Sequence, residues 1–179
     1  KIPDSIAIVK SKNTHGLILT SNALQVINKN TGSTSEIPFG KPLDQMIEII
    51  NNVLQSKPTT IGINSECGAG PLKMASWNNG LTVVFQNKKS ESKTSETNWQ
   101  FAGWFVGSNS KNSKEISTMA GIGIGSTRSE MESAYVLSVS KTSLGYEFST
   151  ASGLYGIFDG ANKESKITNL WSGLSCNFR

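Results

Sequence analysis

Histidine is almost missing from this chain, arginine is scarce and cysteine occurs twice, and each shortage closes off some chemistry. The one imidazole, His15, sits in Asn13-Thr14-His15-Gly16, a turn-like stretch. A Ser-His-Asp or Cys-His mechanism would rest on that residue alone, and no second His offers a metal pair. Only Arg128 and Arg179 carry guanidinium groups among 17 basic residues. Dispersed Lys is a poor substitute for the forked donors that read phosphates and bases, so nucleic acid is disfavoured as a partner. Charged residues make up 17% of the chain, and its acids are scattered. Glu130 has a helix-capping position, Asp44 a helix first turn and Asp159 a turn, which leaves no pair for glycoside hydrolysis. No apolar run approaches the roughly 18 residues that span a bilayer. The expectation is a chain with no catalytic, cofactor-binding or metal residues, and not an enzyme.

What is plentiful is neutral polarity. Ser, Thr and Asn dominate a chain of 179 residues and net charge +4. That length suits one domain, and its surface must be hydroxyl- and amide-rich rather than charged. Cys67 and Cys176 lie far apart in the chain, which excludes a local metal clip. Either they are two buried thiols or they form a disulfide, whose long loop would be worth about 4 to 5 kcal/mol in the chain-entropy model. Their Gly- and Ser-rich surroundings favour the disulfide and with it an oxidising compartment. Position 1 is Lys, and no signal-like apolar segment follows it. The expected setting is export, periplasmic, extracellular or outer-surface, with a signal or lipid anchor upstream already removed.

Along the chain, strands are expected over 5–9 and 17–27, followed by a turn over 28–35. Leu43, Met46, Ile47, Ile50, Val53 and Leu54 recur on a helical period, with Pro42 at the start and Lys57-Pro58 at the end. Further strands are expected over 59–63, 72–77 and 81–85, the last two joined by Asn78-Asn79-Gly80, a hairpin signal. Residues 87–97 are polar throughout, 99–106 form an aromatic strand and 107–114 a polar connection. An apolar stretch over 116–124 leads to a second helix, capped by Thr127 and Glu130, with Met131, Ala134, Tyr135 and Val136 on its apolar side. Strands over 144–148, 154–158 and 167–170 complete the reading. Setting Gly40 against Gly125 places Met46 on Met131, which suggests pseudo-repeats over 17–86 and 99–179 within a single domain, 1–179. The expected class is α+β, a curved antiparallel sheet with helices on one face, which two repeated strand-helix-strands units could build.

Several of these segments together resemble a family. Cys67, Trp77-Asn-Asn-Gly-Leu-Thr-Val-Val-Phe85, Phe101-Ala-Gly-Trp104, Gly121-Ile-Gly-Ile-Gly-Ser-Thr127, Leu144-Gly-Tyr-Glu-Phe148 and Cys176 look like a group of small exported bacterial proteins and lipoproteins. The resemblance covers roughly 64–179. The layout of helix and sheet is also similar to that of the β-lactamase inhibitor protein. Neither likeness implies a catalytic motif, and the residues it implies are the Cys67–Cys176 pair.

The run Gly121 to Thr127 lacks the Lys of a phosphate loop and the parallel context of a dinucleotide fold, so its glycines read as packing and turn residues. The aromatic strand is the more informative feature. Simple alternation puts Trp99, Phe101 and Phe105 on one face and Trp104 on the other. With Lys88, Lys89 and Lys93 alongside, Trp99, Trp104 and Phe105 are candidate contacts for a protein or glycan partner on an open sheet face. The expected function is therefore a non-catalytic exported domain that binds a macromolecule. A small-ligand carrier with its site between helix and sheet is the alternative, and a wall or glycan hydrolase is a weaker one.

Overall fold

The structure is a computed structural model that describes residues 14–88, 98–108 and 113–176; the strand expected over 5–9 lies outside them. The stretch 17–27, expected as one strand, is a hairpin. Asn22 adopts a left-handed conformation at φ 61°, a geometry Asn tolerates better than most side chains. It therefore separates β1 (His15–Thr20) from β2 (Ala23–Asn28). After β3 (Thr34–Pro38) comes α1 (Leu43–Leu54), whose apolar stripe buries Met46 and Ile50 completely. The strands β4 (Thr60–Asn64), β5 (Leu72–Ser76), β6 (Leu81–Asn87) and β7 (Trp99–Gly107) then run as one meander. The expected Asn-Gly turn joins β5 to β6, with the Trp77 N–H donating to the Leu81 carbonyl. A two-residue strand, β8 (Ser117–Thr118), precedes α2 (Arg128–Ala134), which carries the expected capping box. A second meander follows: β9 (Ser138–Thr142), β10 (Gly145–Ser149), β11 (Tyr155–Phe158) and β12 (Ile167–Gly173). Val136, expected on the apolar side of α2, lies beyond the helix and is exposed.

These elements correct the α+β expectation. The described chain is mostly β, 47% strand against 14% helix, in a β-sandwich-like arrangement of two sheets. The smaller sheet has the order β3-β2-β1-β8 and the larger β4-β5-β6-β7-β12-β11-β10-β9. The physical reason lies in the first hairpin, because β1 and β2 bury their own apolar face and so form a second sheet where helices alone were expected to cover the first. Leu17, Leu19, Leu24 and Ile37 of the small sheet share one core with Met46, Ile50, Val83, Phe85, Phe101, Trp104 and Leu170. Trp104 fastens the two sheets. Its indole N–H lies 2.9 Å from the carbonyls of both Thr20 and Ala23, at either side of the hairpin turn. The Asn22 N–H donates to the Ser172 hydroxyl, which donates in turn to the Gly153 carbonyl.

A backbone pattern recurs before each meander. The Gly40 N–H donates to the Phe101 carbonyl while the Phe101 N–H donates to Lys41, and Gly125, Ser126 and Ile167 repeat the same pair of bonds. Met46 and Met131, which follow these glycines at equal spacing, are both fully buried. The two meanders meet at the antiparallel β7–β12 pair. Cys67 and Cys176 form a disulfide across a separation of 109 residues, with Cα atoms 5.0 Å apart. Among the described residues no helix is long and apolar enough to cross a membrane.

Candidate functional site

The large sheet has an inner face, buried under the small sheet and the helices, and an outer face. Which aromatics reach the outer face is decided by a bulge. Opposite Val84 and Phe85, β7 carries Gly103 and Phe101, so Ala102 is the extra residue. A bulge shifts the alternation by one. Trp99, Phe101, Trp104 and Val106 consequently all belong to the inner side, and Phe105 turns outward. The expected grouping of Trp99, Phe101 and Phe105 against Trp104 is thereby overturned. Trp104 is fully buried, so no face of it remains for a partner. Trp99 packs against the core with the Lys73 ammonium 5.9 Å from its ring centre. Lys88 is exposed at the end of β6, while Lys89 and Lys93 lie outside the described residues.

Around Phe105 the strand register assembles residues that no local pattern links. Thr82 pairs with Phe105, Phe105 with Trp171, Trp171 with Tyr155, Tyr155 with Ser149 and Ser149 with Ser138. Extended through Ser76 and Thr60, this makes one row across all eight strands. Its middle is aromatic and its ends are hydroxyls. The Phe105 and Trp171 rings are stacked with centres 6.2 Å apart, as are those of Trp171 and Tyr155. Such cross-strand aromatic pairs stabilise a sheet by about 0.2 to 1 kcal/mol each. Trp171 in the middle is buried, and Tyr155 at the end is 37% exposed. On the other flank the Ser76 and Thr82 hydroxyls lie 2.7 Å apart.

The row ends at Tyr155 because the next two strands supply only serines. One ring face stacks on Trp171; on the opposite side Ser149 and Ser138 are too small to fill the space. A hollow of about 420 Å³ results, lined by Ser138, Ser140, Thr142, Glu147, Ser149 and Tyr155 among others. The Thr142 hydroxyl donates to Glu147 Oε2 at 2.8 Å, which fixes the carboxylate at the wall. The hollow thus combines an aromatic surface, several hydroxyls able to donate or accept, and one oriented carboxylate.

Over β5, β6 and β7 the outer face beyond this row is crossed by the chain itself. Leu174 and Cys176 cross it and pack with Cys67, Leu72, Met74 and Val84. The crossing requires a glycine beneath it, since a Cβ at Gly103 would sit 2.1 Å from the Leu174 carbonyl oxygen. The disulfide holds this strap to the loop after β4. A second cavity of about 290 Å³ opens on the other side of the sheet, between β1 and α1, and includes His15, Lys29, Val53, Leu54 and Glu115 in its lining. His15 Nδ1 is 2.9 Å from the Thr14 hydroxyl. The Glu130 carboxyl is held below its ordinary range. The Thr127 backbone N–H and then the Thr127 hydroxyl bind it, which ties it to the cap of α2. Among the described residues no group of three or more His, Cys, Asp and Glu could hold a metal ion.

Tyr155 and Trp171 are the outer-face residues that sequence reasoning missed. Alternation within β12 does set Trp171 opposite Leu170, but only the register between strands, with β11 and with the distant β7, aligns it with Tyr155 and Phe105. No family model, curated protein or solved structure matches this chain.

Proposed function

We propose that this chain is a non-catalytic binding domain that holds a glycan on the outer face of its large sheet, with the hollow beside Tyr155 as the main subsite. The observation that carries the reading is the half-stacked tyrosine at the border of a hydroxyl-rich hollow. A sugar ring has apolar C–H faces and a rim of hydroxyls. It would complete the stack on Tyr155 and exchange hydrogen bonds with Ser138, Ser140, Thr142 and Ser149, with Glu147 as a strong acceptor. The scarcity of charge suits an uncharged polymer better than an acidic one. The disulfide is compatible with an oxidising compartment, and an exported setting, where envelope and extracellular glycans occur, is part of the same proposal.

The test is titration of the protein with a panel of soluble neutral oligosaccharides, followed by intrinsic fluorescence and calorimetry. Binding that weakens at least tenfold in Tyr155→Ala supports the reading. A panel without binding, or binding indifferent to that substitution, removes it. The cavity between β1 and α1 favours a second reading, a small-ligand carrier. Native mass spectrometry of unheated protein would reveal a copurified ligand, and a ligand displaced by Val53→Trp would assign it to that cavity.

A further inference from the structure

We infer that β4 is a self-complementary edge through which two copies of this chain pair, joining their large sheets into one. The two edges of this sheet are built differently. At the β9 edge, Ser138-Val139-Ser140-Lys141-Thr142 carries a lysine whose ammonium lies 5.6 Å from the Tyr146 ring centre. A charge on an edge strand is a common device against pairing. The β4 edge, Thr60-Ile61-Gly62-Ile63-Asn64, has no charge and no proline, and Ile61 and Ile63 are 50% and 59% exposed. Among the described residues it pairs with β5 alone, so one side of its backbone meets no described strand.

The order of residues selects the occupant. Two-fold symmetry requires that a residue and its partner exchange places. In an antiparallel β4–β4 pair centred on Gly62, Ile61 meets the partner's Ile63, Ile63 meets the partner's Ile61, and Thr60 meets the partner's Asn64. Both isoleucine pairs fall on one face, where they bury the exposed apolar surface. Gly62 has nothing within 4 Å of its Cβ position, so the centre of the pair is open. The ends are complementary as well. Exposed Lys57 precedes the strand and exposed Glu66 follows it, and the antiparallel arrangement brings the lysine end of one copy to the glutamate end of the other. The same pairing would set the two outer faces side by side, which would give a repeating ligand two contacts instead of one.

The experiment uses the purified chain. Sedimentation velocity up to about 1 mM, the weak limit of specific association, should show a concentration-dependent dimer. Ile61→Lys and Ile63→Lys, both at exposed positions, should raise its dissociation constant at least tenfold without changing the thermal midpoint of the monomer. Under oxidation Gly62→Cys should cross-link to a covalent dimer, because paired Cα atoms at about 4.5–5.5 Å suit a disulfide. Thr60→Cys mixed with Asn64→Cys should give the hetero-dimer, whereas Ser140→Cys on the opposite edge should stay monomeric. The inference is overturned by a monomer at every concentration, by a dimer that tolerates both lysines, or by Gly62→Cys cross-linking no better than Ser140→Cys. A peptide that binds β4 while the chain stays monomeric overturns it too.

Discussion

The two faces of the large sheet are made by the same strands, yet they are held by different means. On the inner face, packing does the holding: Phe85, Phe101, Trp104, Phe148 and Phe158 are all essentially inaccessible to water. On the outer face, large side chains are few. Order there comes from an aromatic row three strands wide, from flanking hydroxyls, and from a C-terminal strap bonded through Cys176 to Cys67. The difference separates residues whose loss unfolds the protein from residues whose loss leaves it folded and exposes what the surface is for.

The largest expected effect concerns the strap. Replacing Cys67 and Cys176 together by Ser should cost about 5 kcal/mol on the chain-entropy account of a loop of this length. Urea denaturation with and without reductant measures it, and a loss below about 1 kcal/mol would mean that packing holds the outer face as well. Next is the contrast between neighbours on β7. Trp104→Ala should cost about 3 to 5 kcal/mol as a buried aromatic truncation, with the carbonyls of Thr20 and Ala23 left short of a donor. Phe105→Ala, one residue on, should cost much less. Equal losses would erase the distinction between the faces.

That pair of neighbours also marks how far the sequence could be read. The period of α1, the Thr127–Glu130 capping box, the Asn-Gly hairpin and the polar character of the surface are local features, and local spacing sufficed for them. The orientation of the aromatic strand was not legible, because the bulge at Ala102 is set by its pairing with β6 and leaves no mark in β7 alone. The second sheet was missed for a similar reason. The turn at Asn22 splits what reads as one apolar strand, and a hairpin there gives the small sheet its apolar face. Phe105 was legible as a surface candidate, whereas its alignment with Tyr155, Trp171 and the serine floor depends on the register between β7 and the second meander, which no single strand records.

A smaller effect concerns acid. The Glu130 carboxyl is held below its ordinary range by the Thr127 backbone N–H and hydroxyl. A depressed pKa in the folded state means that the cap contributes stability above the unfolded carboxyl range, and that this contribution is lost as pH falls below it. Thermal midpoints followed from pH 6 to pH 3 should fall less steeply in Glu130→Gln than in the parent chain. Parallel curves would show that the cap contributes nothing to the fold's acid sensitivity.

The most direct measurement compares Tyr155→Ala with the parent chain in two assays at once, thermal unfolding and titration with the neutral oligosaccharide panel. Tyr155 is more than a third exposed, so its loss should lower the midpoint by only about 2–4 °C, the equivalent of about 1 kcal/mol in a domain of this size. Saccharide affinity should fall at least tenfold. An unchanged affinity, or a variant that unfolds as readily as Trp104→Ala, would contradict the proposal that the outer face holds a glycan.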